Sequence, residues 1–299
     1  MVMRLMLWNS ESERRHLWRN RLQTVLMLIG MGGLLAVCGW IVAGPDGIVW
    51  LCLGGGLALL LAPTLPPRLQ MRMLGAQPLA PWQAPQLYRI LEILAGRAGL
   101  DAVPAPHVIA SPIPNAFAMG NRHQAAIAVT EGLLARLNPR ELAAVLAHEI
   151  SHIRNGDIRI MGLADLTSRM TRMMSWLGIL LLVVSLPLLL SGQASAPLPL
   201  VLLLMASPSL SALLQLGLSR TREFDADMDA ARLTGDPMGL IAALRKMEAP
   251  VWTFWGRVLL PRRSNDQPSL LRSHPSNEER IQRLASLTVA VDYPENSWL

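Results

Sequence analysis

Composition, four evenly sized apolar runs and a one-sided distribution of arginine predict a mainly α, integral membrane protein. It has four transmembrane helices in two hairpins and a soluble part divided around the second hairpin. Of 299 residues, 52% are hydrophobic and only 16% charged, the balance of a membrane protein with a soluble portion. The apolar runs cover residues 24–42, 48–65, 174–190 and 198–218. Each is about 17–21 residues, enough to cross ~30 Å of hydrocarbon. Pro187 and Pro208 interrupt the last two runs, and a re-entrant hairpin is the alternative there. Arg4, Arg14, Arg15, Arg19 and Arg21 precede the first run, and Arg68 and Arg72 follow the second. Arg169 and Arg172 precede the third, and Arg220 and Arg222 follow the fourth. The two turns, residues 43–47 and 191–197, carry no Lys or Arg. The positive-inside rule then makes the N-terminus and the basic flanks cytoplasmic.

The elements follow in chain order. Residues 1–23 form a polar, arginine-bearing lead. No small-x-small cleavage site follows the first apolar run, so the lead and that run read as an uncleaved signal anchor. Residues 24–65 form transmembrane hairpin 1, with Trp40 and Trp50 bracketing its turn as interfacial anchors do. Cys38 and Cys52, the two cysteines, fall on opposite arms and read as small buried thiols, a disulfide between them being the alternative. Residues 66–172 form the first soluble part, 173–218 hairpin 2, and 219–299 the second soluble part. The net charge is +6, and arginines stand at every basic span end. That position excludes a nucleic-acid partner and makes the lipid bilayer the partner.

The most informative string is His148-Glu149-Ile150-Ser151-His152. Two imidazoles at i and i+4 share one helical face, where both can reach one metal ion. Glu149 beside the first can hold a metal-bound water and take its proton. The surroundings predict a helix. Asn138 is the N-cap, Pro139 suits the first helical position, and Glu141 completes a capping box. Leu142, Val145, Leu146, Ile150 and Ile153 form an apolar face, and Asn155-Gly156 ends the helix.

A catalytic zinc site needs three protein ligands and an open position. No further His follows at short range. Asp157, Ile158 and Arg159 after Gly156 disfavour an H-E-x-x-H-x-x-G-x-x-H arrangement. Glu223 and Asp227 stand at i and i+4 in a second helical segment. Glu223 suits the third ligand position, and Asp227 suits a carboxylate accepting a hydrogen bond from a ligating imidazole. Spacing alone leaves open a solvated acidic face shared with Asp225 and Asp229.

The chain resembles the HtpX-type membrane metallopeptidases in four ordered blocks. These are Ile113-Pro114-Asn115-Ala116-Phe117-Ala118 with Ala128-Val129-Thr130-Glu131-Gly132-Leu133-Leu134, and Leu146-Ala147-His148 on to Asn155-Gly156-Asp157. The others are Ser219 through Asp227 with Ala230-Ala231-Arg232-Leu233, and Ser273-His274-Pro275 with Glu278-Glu279-Arg280-Ile281. The resemblance implies one Zn2+ per chain with Glu223 as third ligand beside His148 and His152. It implies a gluzincin-like α+β catalytic domain, zincin-like and cytoplasmic, with a small edge-exposed β-sheet. It also implies a bacterial inner membrane location and a quality-control or stress-response role, cleaving damaged or misassembled membrane proteins. Asn115, Ala116 and Phe117 are expected on an exposed strand beside the metal, where an extended substrate can add as a further strand. His274 is expected to donate to the tetrahedral oxyanion or to take the fourth zinc position, its plainer role being a cap on the helix that follows.

Three departures stand out. The N-terminal lead is long, Gly156 replaces a commonly basic residue, and Trp252, Phe254 and Trp255 cluster beside Arg257. Competing readings are an intramembrane metalloprotease, a prenyl-protein endopeptidase, and a non-enzymatic scaffold or adaptor with a latent zinc site. Arg140, Arg154 and Asp157 around the motif oppose deep burial in lipid. A zinc endopeptidase acting on cytosolic parts of membrane proteins is the expectation that covers all the motifs.

Overall fold

The structure is a computed structural model that describes residues 10–61, 66–191, 198–247 and 277–288. The chain divides into two compact units, Met1–Thr64 with Ile160–Thr221, and Leu65–Arg159 with Arg222–Leu299.

The first unit is helical among the described residues. Helix α1 (Ser10–Leu61) contains non-helical backbone at Ala43 and Gly44, followed by Pro45. Gly44 has φ +60°, a conformation glycine adopts without strain. Beyond this break the chain turns back on itself. The backbones of Gly39 and Gly47 lie so close that a Cβ on Gly47 would collide with the Gly39 carbonyl. Eight residues of unbroken helix would separate them by about 12 Å. The first two apolar runs therefore belong to two arms of one broken helix. Cys38 is buried, but Cys52 is exposed. The expectation of two buried thiols is corrected to one.

Helix α6 (Asp157–Leu190) and helix α7 (Leu198–Thr234) carry the third and fourth runs. Neither breaks where the apolar run meets soluble sequence, and Pro187 and Pro208 are accommodated inside them. Their buried faces are polar at intervals of three to four residues. Ser168 Oγ lies 3.0 Å from Ser211 Oγ and donates to Gln215 Oε1 at 2.9 Å, while Ser207 Oγ reaches the Thr171 carbonyl at 3.3 Å. Such bonds hold helices together where lipid removes the hydrophobic drive. Among the described residues, three helices are long and apolar enough to cross a membrane: Arg21–Leu57, which contains the break, Asp157–Pro187 and Pro199–Thr234.

The second unit is α+β. It contains α2 (Pro67–Met73), β1 (Gln77–Pro78), α3 (Pro85–Ala98), β2 (Ala105–Ile109), β3 (Ala116–Gly120), β4 (Ala125–Thr130) and α4 (Glu131–Arg136). Helices α5 (Pro139–Asn155), α8 (Pro237–Met247) and α9 (Asn277–Thr288) complete it, with the adjoining ends of α6 and α7. The sheet order is β1-β2-β4-β3, with β2 parallel to β4 and the other pairs antiparallel. Strand β3 is thus an edge. Helix α5 is the centre of the unit, buried at every position from Glu141 to Ser151. Leu91 and Leu94 of α3, Leu133 of α4, Leu146 and Ile150 of α5, and Leu240 of α8 form its core. Burying each such side chain contributes about 2 kcal/mol. A helix buried on all sides must satisfy its polar residues within the protein, and this requirement shapes the site.

Candidate metal centre

Helix α5 starts where its sequence dictates. The Asn138 side chain accepts the Glu141 N–H at 2.9 Å, and Glu141 Oε2 accepts the Asn138 N–H at 2.9 Å. This reciprocal cap settles the helical phase. Lys246 of α8 also donates to Glu141, at 2.7 Å. One turn apart, His148 and His152 bring their Nε2 atoms to 3.1 Å, with the rings at 89°. Glu223 of α7 meets both, Oε2 at 3.3 Å from His148 Nε2 and Oε1 at 3.6 Å from His152 Nε2. His148, His152 and Glu223 form a group whose ligand atoms all lie within 4.8 Å of one another.

The far side of each ring explains the arrangement. His148 Nδ1 faces Asp227 Oδ1 at 3.0 Å, and His152 Nδ1 faces Asp157 Oδ2 at 2.8 Å. Arg280 Nη2 also lies 3.4 Å from His148 Nδ1. The nearer, charged carboxylate decides the tautomer, so Nδ1 carries the proton. Both Nε2 lone pairs then point at one spot with a carboxylate beside them. Three electron-rich groups in contact repel unless a cation or proton lies between them. Ligands about 2.0–2.2 Å from a tetrahedral zinc stand about 3.3 Å from one another, and the observed separations scatter around that value. The donor set and its spacing fit zinc.

Burial and the charge of Arg280 push the His148 imidazolium pKa down, but hydrogen bonds to Asp227 and Glu223 outweigh them and raise it. Burial opposes the proton on His152 too, yet Asp157 and Glu223 hold it well above the ordinary range. Asp227 is pushed up by burial and pulled lower overall by Arg280, which grips it at 2.8 and 2.6 Å.

Beside these residues opens a cleft of about 180 Å³. Glu149 and His148 line it with Asn115 and Ala116 on one side and Leu240, Leu244 and Met247 on another. Asn115 directly precedes the edge strand β3, and its carbonyl and N–H are tied to Thr130. Phe117 is turned to the opposite face of the sheet, against Met71 and Ala76. Side chains alternate along a strand, so Ala116 and Phe117 cannot both face the cleft. His274 and the Trp252, Phe254 and Trp255 cluster lie outside the described residues.

The carboxylates of α7 divide by helical phase. Glu223 and Asp227 face the imidazoles, while Asp229 binds Arg154 at 2.6 Å and Asn155 at 2.9 Å. Glu223, Asp227 and Asp229 are buried, which replaces the picture of a solvated acidic face. Sequence reasoning assigned no role to Asp157 or Arg280. The signal for Asp157 was an Asp just beyond a helix-ending glycine; Arg280 stood in a block that resembles the family, with no spacing that gave it a role.

The model of peptidase family M48 matches residues 81–288, which contain all these groups. A protein named protease HtpX homolog from Ralstonia pickettii (strain 12J) is 31% identical, over 92% of this chain and 99% of that protein. Another of that name, from Trichormus variabilis, is 34% identical over 90% of this chain and 96% of its own length. A third, from Paenarthrobacter aurescens, is 37% identical over 73% of this chain and 77% of its length.

Proposed function

The chain belongs to peptidase family M48 as an HtpX-type membrane metallopeptidase, and we propose that it is a zinc-dependent endopeptidase. Its substrates are cytosol-exposed parts of damaged or misassembled membrane proteins. The observation that carries this reading is the convergence of His148 Nε2, His152 Nε2 and the Glu223 carboxylate beside the Glu149 cleft.

His148, His152 and Glu223 would hold the zinc, which supplies Lewis acidity to the scissile carbonyl and to the attacking water. Glu149, eight per cent exposed and at the cleft wall, accepts the proton from that water and delivers it to the leaving amine. The edge of β3 beside Asn115 and Ala116 binds the substrate backbone in extended form. Recognition through backbone groups suits a protease that must accept many misfolded sequences. Asp227 orients His148, and His274 is the proposed donor to the developing oxyanion. The four apolar runs would cross the bacterial inner membrane as two hairpins, with both soluble parts in the cytoplasm. Their arginine-free turns and arginine-rich flanks support this orientation.

Detergent-purified protein with zinc should cleave casein, and Glu149→Ala should lose cleavage while retaining zinc. Equal cleavage by both would refute the mechanism. Wild type without zinc would favour the scaffold reading. Reporter fusions at Gly44 and Ser195 test topology, and a cytoplasmic signal from either would reverse the orientation.

A further inference from the structure

We propose that Asp157 and Arg222 are a positioning pair for His152, an inference that rests on the zinc reading above. His152 Nδ1 donates to Asp157 Oδ2 at 2.8 Å, and Arg222 Nη1 lies 3.3 Å from the other oxygen, Oδ1. Asp157 is 2% exposed at its side chain and Arg222 11%. A buried carboxylate is costly to keep ionised without a counter-charge, and Arg222 supplies one. Asp157 also opens α6, where the positive end of the helix dipole favours a negative charge.

The backbone is built to make this contact. Residues five apart on an uninterrupted helix are turned ~140° from one another, so Asp157 would face away from His152. Gly156 breaks the helix at φ +72°, ψ +19°, and its N–H returns to the carbonyls of His152 and Ile153. The break swings Asp157 back over the ring it holds.

The two halves of the centre correspond, with Arg280 hydrogen-bonded twice to Asp227 and Arg222 at ion-pair distance from Asp157. Asp227 with Arg280 holds His148, and Asp157 with Arg222 holds His152. Arg222 directly precedes Glu223 on α7. Successive residues on a helix point ~100° apart, so one residue serves Asp157 while the next reaches the metal point. Asp157 is not among the residues lining the cleft. It acts on the ligand and not on the substrate.

The test is zinc affinity by chelator competition, the absorption spectrum of the cobalt-substituted protein, and KM measured with the metal site saturated. Asp157→Ala is expected to weaken zinc binding roughly ten- to a hundredfold. It should also shift the cobalt spectrum and leave KM unchanged. Asp157→Asn retains an acceptor oxygen and should fall between Ala and wild type. Arg222→Gln should shift affinity in the same direction. Arg169→Ala, which removes the exposed member of an ion pair on α6, should match wild type. Zinc affinities within twofold of wild type and an unchanged cobalt spectrum in Asp157→Ala, Asp157→Asn and Arg222→Gln would overturn the pair alone. So would affinity losses matched by a lowered melting temperature of the metal-free protein. Wild type without stoichiometric zinc would overturn the pair together with the zinc reading.

Discussion

His148 Nδ1 and Asp227 Oδ1 stand 3.0 Å apart with both side chains almost fully buried. Since Asp227 is held ionised by two contacts from Arg280, the ring can present only its Nε2 lone pair to the metal point. Asp227→Ala should lower zinc affinity by about ten- to a hundredfold. Chelator competition measures this, and unchanged affinity would contradict the orienting role.

Glu149 shares the cleft with His148 but lies outside the group of metal donors. Glu149→Ala should therefore retain stoichiometric zinc while losing activity by about 100-fold or more. Metal content and casein hydrolysis, measured on one preparation, separate the two effects.

The paired histidines give stability a pH dependence whose sign depends on the metal. Without metal, both hold their protons above the ordinary value of 6.5. A raised folded pKa adds stability below the unfolded pKa, and that stability is lost as pH rises through the folded value. The melting temperature in chelator should thus fall as pH increases from about 6.5. With zinc the ligands must be deprotonated, so the melting temperature should rise over that interval. Parallel curves with and without zinc would contradict this account. The lowered pKa of Asp227 acts in the opposite sense: its contribution is lost only as pH falls below the ordinary carboxylate range.

Gly156 has φ +72° and nothing within 4 Å of where a Cβ would stand. Gly156→Ala therefore meets backbone strain alone, costing about 1–2 kcal/mol. The residue favoured after glycine in this conformation is Asn, so Gly156→Asn should lose less. Thermal denaturation of the two variants checks the order.

The H-E-x-x-H helix was legible because its determinants are local. Asn138, Pro139, Glu141 and Gly156 bound it, and the i, i+4 spacing puts both imidazoles on one face. The choice among Glu223, Asp225, Asp227 and Asp229 was not legible from spacing, since two faces of one helix offered equivalent pairs. Packing decides it: Arg154 and Asn155 take Asp229, and the α5 imidazoles take Glu223 and Asp227. Phe117 was read with Asn115 and Ala116, yet strand alternation sends it to the other side of the sheet.

The sequence by itself determined the apolar runs, the turn at residues 43–47, the helix end at Gly156 and the types of the candidate metal ligands, because hydropathy, helical period and glycine's backbone freedom act over a few residues. Only the tertiary structure decided which carboxylate completes the centre, and which carboxylate and arginine hold each imidazole. Glu223, Asp227 and Arg280 are far from His148 along the chain. Their charges become worth burying only when α5, α7 and α9 pack together and bring each within reach of a partner.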